Sequence, residues 1–179
     1  MGIEALSTKL TYGLHVIGVK DCKNGGRFAG FVIDAVCQIT MGEEPYVLFS
    51  VMNKNYSKDC IRREMLFNVS ILPDDVDPFI LANFGFQSSK DVSKWDNVEF
   101  ELKEGLPVIP SAVSWAQLKV KDIREFDTHT AFFCVPVTAE YLNQEKEPVR
   151  YADYFTKLKG PAFAAFSAFK EKQAGKETD

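Results

Sequence analysis

Apolar and polar positions alternate with a period of two over much of the chain, the spacing of strands that turn one face to a core. Ser114 to Asp122 is the clearest stretch. Ala116, Leu118 and Val120 fall on one face, and Gln117, Lys119 and Lys121 on the other. Tyr12 to Lys20 predicts a first strand. The Asn-Gly and Gly-Gly pairs of Asp21-Cys22-Lys23-Asn24-Gly25-Gly26 then suit the positive φ of a hairpin turn. Phe28 to Thr40 predicts a long second strand, bent at Gly30. Tyr46 to Met52 and Thr130 to Val137 are apolar at successive positions, as in strands covered on both faces. Phe67 to Leu72 and Val98 to Leu102 predict two shorter strands.

Helical spacing occupies less of the chain. Ser57 is the expected N-cap of a helix that turns Ile61 and Met65, four apart, to the core. Pro73-Asp74-Asp75 predicts the start of a second helix carrying Val76, Phe79, Ile80 and Phe84. Phe86 to Asp96 reads as a polar loop with Ser88, Ser89, Lys90 and Lys94, and Glu140 to Pro148 contains a polar turn. Tyr151 to Leu158 predicts a terminal helix and Ala162 to Lys172 further helix, with a frayed end from Gln173 to Asp179. Many short strands, hairpin turns and few helices define a mostly β chain, a closed or nearly closed antiparallel barrel. Strands apolar on both faces need cover outside the barrel as well as inside. A helix or a second subunit provides it, and a homodimer is expected.

Composition adds limits. The 179 residues fit one domain, or one domain with a helical appendage. Fifteen Phe suit a core, a subunit interface or contact with a flat ligand. A net charge of −4 argues against nucleic acid or an anionic membrane as partner, while leaving room for one phosphate site. No apolar run approaches the roughly 18–20 residues that span a bilayer. Met1 to Leu10 carries no signal-peptide core, and a cytoplasmic location is expected. Cys22, Cys37, Cys60 and Cys134 are widely separated and read as free thiols, Cys37 as a small buried filler.

With only His15 and His129 and no HExxH pattern, a metal site is not expected. His15 reads as a strand-surface or interface residue. Trp95 and Trp115 read as packing residues. No nucleophile elbow, Rossmann fingerprint or P-loop is present. A cofactor enzyme needs none of these, because the cofactor carries the chemistry. What it needs is a holder. Asn53 to Ser57, between a strand and a helix N-terminus, has two readings. One is a phosphate cradle of amides, a hydroxyl and Lys54; the other is an ordinary polar turn with a helix cap.

Six pieces in order resemble the flavin reductase-like proteins with an FMN-binding split barrel, in particular the branch of flavoredoxins and high-molecular-weight rubredoxin flavin domains. They are Tyr12 to Val16; Asp34 to Thr40; Asn53-Lys54-Asn55-Tyr56-Ser57; Phe67-Asn68-Val69-Ser70-Ile71-Leu72; Phe84 to Trp95; and Asp127-Thr128-His129-Thr130. The resemblance spans roughly Leu10 to Gly160. It implies a six-stranded antiparallel Greek-key split barrel with a few flanking helices over residues 1–160, and a helical extension and tail over 161–179.

The resemblance also implies FMN near a dimer interface. Asp34, Ala35, Val36, Cys37, Gln38, Ile39 and Thr40 run along its isoalloxazine and ribityl chain. Asn53, Lys54, Asn55, Tyr56 and Ser57 hold the phosphate with Ser88, Ser89 and Lys90, and Phe86 joins the cofactor contacts. His129 stands where a nicotinamide approaches; the alternative is a structural residue at a strand end. The implied activity is an oxidoreductase that passes electrons from NAD(P)H through flavin to free flavin, a small redox protein, ferric iron or oxygen. Two alternatives stand beside it: a non-enzymatic FMN electron carrier, and a split-barrel ligand-binding protein whose flavin site has decayed. Asp34, Ala35 and Lys58 replace the family's usual Asn, Thr and His, and the first two favour the last alternative.

Overall fold

The computed structural model describes residues 10–176. Its main sheet has seven strands in the order β2-β1-β5-β8-β9-β4-β3, all antiparallel. These are β1 (His15–Lys20), β2 (Phe28–Ile33), β3 (Val36–Gln38), β4 (Val47–Met52), β5 (Leu66–Ile71), β8 (Ser114–Glu125) and β9 (His129–Tyr141). A small hairpin, β6 (Glu101–Lys103) and β7 (Leu106–Val108), packs outside it.

The long strand expected over Phe28 to Thr40 pairs with β1 in unbroken register through Gly30. It breaks at Asp34-Ala35, where the Val36 N–H turns back to the Asp34 carbonyl at 2.9 Å. The chain before the break pairs with β1 and the chain after it with β4. Because β2 and β3 are the two outermost strands of the sheet, this one break joins its edges. Counted as one broken strand, they leave six strands, the expected split barrel.

Alternation along β1 sorts its residues between two cores. Ile17 and Val19 point into the barrel with Phe49, Phe67, Leu118 and Phe132. Phe49 and Phe132 stack there at 4.8 Å. Val16 faces outward to a second cluster with Leu72, Leu81, Phe84 and Trp95. Each such fully buried side chain contributes about 1.5–3 kcal/mol. Trp95 and Trp115 are both packing residues, as read from the sequence. Register shifts near Gln117 and Val120 bend β8 against β9.

Among the described residues, four α-helices flank the barrel. Helix α1 (Tyr56–Glu64) is capped by Asn55, whose side chain accepts the Ser57 N–H at 2.9 Å. Ser57 is therefore inside the first turn and not the cap. The helix ends at Met65, in a left-handed conformation (φ 55°). Helix α2 (Pro78–Gly85) starts later than expected, with Asp77 as cap and Pro78 at the first position. Pro73 instead bridges to Pro148. The strand expected at Val98 to Leu102 forms as β6, shifted toward the C-terminus.

Helix α3 (Tyr151–Asp153) runs through a π-helical turn (Tyr154–Leu158) into α4 (Lys159–Lys176) without a break at Gly160. Phe79 meets Phe169, and Phe86 meets both Phe163 and Phe166, so α4 lies on α2 along an aromatic seam. The helix continues through the expected frayed start at Gln173 to Lys176; residues 177–179 lie outside the described residues, as do residues 1–9 at the other end. No helix among the described residues is long and apolar enough to cross a membrane.

Candidate functional site

A pocket of about 470 Å³ opens beside the break between β2 and β3, in the range of small-molecule sites. The end of β2 supplies Phe31 to Asp34 and the end of β4 supplies Ser50 to Met52. The turn into α1 contributes Lys54, Asn55 and Tyr56, and the end of α2 with its following turn contributes Phe84 to Ser89. Lys94 and His129 complete the lining. His129 pairs with Met52 across β9 and β4, which sets it beside the Asn53 turn. Its Nδ1 lies 2.9 Å from the Thr128 hydroxyl, which fixes the ring.

The lining is apolar along Phe31, Val51, Phe84 and Phe86, with few charges. Asp34 is the one carboxylate, against the ammonium groups of Lys54 and Lys94. Lys94 is almost completely buried, and its Nζ donates to the Phe84 carbonyl at 2.9 Å. Burial holds its pKa down to about 7. One carbonyl uses one of the three ammonium donors. A flat aromatic anion fits this set: apolar walls for a ring system and cations for a negative group.

Of the residues expected at a flavin site, Asp34, Lys54, Asn55, Tyr56, Phe86, Ser88, Ser89 and His129 line the pocket together. The others lie elsewhere. Ala35 and Val36 follow the break, and Cys37, Gln38, Ile39 and Thr40 run out exposed along the β3–β4 hairpin. Cys37 is thus exposed and not a buried filler. Lys90 is exposed beyond the rim. Asn53 is bound into the barrel. Its Nδ2 donates to the Phe126 carbonyl at 2.8 Å and its Oδ1 accepts from Thr130 at 2.8 Å. Lys58 pairs with Asp59 at 3.2 Å.

Two serines expected to donate to a phosphate converge on one backbone residue. The buried Ser57 hydroxyl points at the Gly30 carbonyl at 3.5 Å, and the Ser89 hydroxyl bonds both the amide and the carbonyl of Gly30. Gly30 is required there, because a Cβ would sit 2.6 Å from the Ile17 carbonyl and 3.0 Å from the Phe84 ring. Ser88 differs: its oxygen accepts the Lys90 N–H at 3.2 Å, which leaves its proton available to a ligand.

Sequence reasoning missed Gln87 and the walls from Phe31 to Ile33 and Ser50 to Met52. It noted Lys94 only as part of a polar loop. A lysine two residues from a polar turn and next to Trp95 gives no sign of burial until the 3₁₀ turn Lys94–Asn97 is seen to pack under α2.

The flavin reductase like domain family matches residues 7–159. Among curated relatives, the ferric-chelate reductase (NAD(P)H) of Archaeoglobus fulgidus is 31% identical over 89% of this chain and 92% of its own length. The high molecular weight rubredoxin of Moorella thermoacetica is 31% identical over 89% of this chain and 68% of its own. Among solved structures, a Streptomyces globisporus NADH:FAD oxidoreductase superposes with a TM-score of 0.71 at 21% identity, covering 82% of this chain and 84% of that one. A flavoredoxin from Methanosarcina acetivorans gives 0.64 at 18% identity, over 73% of this chain and 69% of that one. At such identities the two structures speak to the fold.

Proposed function

The chain belongs to the flavin reductase-like family and is a flavin-mediated oxidoreductase; we propose that it takes electrons from NAD(P)H, holds FMN, and passes the electrons to a small acceptor. One observation carries this reading: a single pocket gathers Lys54, Lys94, Ser88 and His129 around apolar walls. The ferric-chelate reductase relative supports a nicotinamide donor, since its name specifies one. A monophosphate flavin, the smaller of the two flavin cofactors, suits a pocket of about 470 Å³ better than a dinucleotide does.

Each residue then has a task. Lys54 and the Ser88 hydroxyl hold the phosphate at the rim, with the dipole of α1 behind them. Phe86 packs against the ring system and is itself backed by Phe163 and Phe166. Lys94 presents positive charge where electron density accumulates, which stabilises a reduced, anionic ring. His129, the proposed catalytic residue, orients the nicotinamide. Bound flavin supplies acceptance of a hydride and release of electrons singly or in pairs.

The exposed residues Cys37 to Thr40 enter the same reading through a homodimer. Ile39, Met41, Met52 and Phe126 are exposed apolar side chains around the β3–β4 hairpin and the β8–β9 turn. Covering them with a second subunit places the hairpin over the rim of a flavin site. In this reading the barrel carries the function, and the described part of the extension, residues 161–176, belongs to a helix that buttresses Phe86.

Visible spectra after loading with FMN or FAD and gel filtration test the flavin assignment. Retained FMN, bleached anaerobically by NADH or NADPH, is the expected result. Retention of FAD alone, or of neither, overturns the choice of FMN as resident cofactor. Sedimentation of the loaded protein tests the dimer.

A further inference from the structure

Away from the pocket walls, the β1–β2 turn sets a second reactive cluster over α1. Cys22 and Cys60 are both free thiols, 38 positions apart in the chain, and their sulfurs lie 2.7 Å from each other. The Cys22 N–H also donates to the Cys60 sulfur at 3.2 Å, so the two residues are held together by backbone as well as by side chains. Their exposure is unequal. Cys60 is fully buried, whereas Cys22 is half-buried and open to small reagents.

Asp21 makes this a possible metal cluster by proximity, its ligand atom lying within 4.8 Å of both sulfurs. Its carboxylate is already committed. Oδ1 accepts from the Lys23 and Asn24 N–H groups and from the Tyr56 hydroxyl at 2.5 Å, and Oδ2 accepts from the Asn24 side chain. A cation would have to displace these bonds. Burial raises the Cys60 pKa to about 12, which further disfavours the thiolate that a metal requires.

We propose that Cys22 and Cys60 form a thiol–disulfide centre that exchanges two electrons with small disulfides and dithiols. The Cys22 thiolate attacks a small disulfide, RSSR; a Cys22–SR bond forms, and RS⁻ leaves and takes up a proton. The Cys60 sulfur then attacks the Cys22 sulfur, its proton passing to the departing sulfur of the mixed disulfide. The Cys22–Cys60 bond forms and the second RSH leaves. In total the two thiols lose two electrons and two protons, and RSSR becomes two RSH. Cys22 is the entry point because it is reachable, and Cys60 is the resolving thiol because it is sheltered and adjacent. Tyr56 bonds Asp21 on this side and lines the flavin pocket on the other, so the centre abuts the first turn of α1.

The test is peptide mapping of the full chain after incubation with oxidised glutathione, acid quench, denaturation and alkylation of remaining thiols. The expected result is a Cys22–Cys60 linked peptide that returns to two alkylated thiols after dithiothreitol, with Cys134 alkylated throughout. In Cys60→Ser the expected product is a lasting glutathione adduct on Cys22; in Cys22→Ser, Cys60 stays reduced. Full alkylation of both cysteines in wild type after oxidised glutathione overturns the proposal. So does a stoichiometric metal ion in the freshly purified, reduced protein that is lost in either variant. The wild-type map decides the matter even if a serine variant fails to fold.

Discussion

The Ser89 hydroxyl accepts a hydrogen bond from the Gly30 amide at 3.0 Å and donates one to the Gly30 carbonyl at 2.9 Å. Gly30 lies on the sheet's outermost strand, β2, so this one side chain satisfies backbone groups that a neighbouring strand would otherwise pair. It also pins the turn that carries Phe86 and Ser88 against the barrel. Ser89→Ala leaves a buried N–H and weakens the hold on the carbonyl, a loss of about 1–3 kcal/mol. Urea unfolding is the check. Flavin affinity is expected to fall with it, because the loosened turn forms one wall of the pocket.

In the proposed site, phosphate recognition rests on Lys54. Lys54→Ala is expected to weaken FMN binding at least tenfold, about 1.4 kcal/mol, while riboflavin, which lacks the phosphate, is unaffected. Asp34→Asn removes the one carboxylate of the pocket and is expected to tighten FMN. Fluorescence titrations with both flavins read these effects. An equal loss for FMN and riboflavin in Lys54→Ala would move Lys54 from the phosphate to the ring.

His15 shapes the acid limb of stability. Its ring is buried against Gly13, and Nδ1 is the one buried side-chain nitrogen or oxygen among the described residues without a partner. Burial lowers its pKa from 6.5 to about 4. The unfolded chain therefore binds a proton that the folded chain refuses between those values. The stabilisation is complete above pH 6.5 and is lost as pH falls toward 4, a change on the order of a few kcal/mol. His15→Leu is expected to flatten that limb in denaturant melts from pH 4 to 7.5.

Much of this was legible from residue patterns, because strand alternation is a local signal: β1 and β4 fall within stretches expected as strands, and β5, β8 and β9 overlap theirs and run past one or both ends. The break at Asp34-Ala35 was not. Apolar residues flank it on both sides, and what decides it is a change of pairing partner from β1 to β4. The cap of α1 was misplaced because Asn55 and Ser57 are both good caps, and only the backbone shows which side chain reaches an amide. Residue type identified Ser57 and Ser89 as donors but not their direction toward Gly30. The Cys22–Cys60 contact and the burial of Lys94 depend on elements far apart in the chain, beyond the reach of periodicity.

Lys94 gives the last prediction. Its pKa is lowered from 10.5 to about 7 by burial, so between these values the unfolded chain carries a proton that the folded chain has released. The stability contribution is complete above pH 10.5, declines as pH falls, and is lost below about 7. Lys94→Met removes this dependence. The stability of wild type relative to the variant is expected to rise from pH 7 to 10, measured by urea unfolding. A bound anion reverses the burial effect by favouring the charged ammonium. Anaerobic binding of reduced FMN, whose ring is anionic at pH 8, is therefore expected to draw protons from solution in the wild type and fewer in Lys94→Met. Calorimetry in buffers of different ionisation heat measures that uptake. Equal uptake in both proteins would place the reduced ring's negative charge away from Lys94 and leave Lys54 as the pocket's working cation.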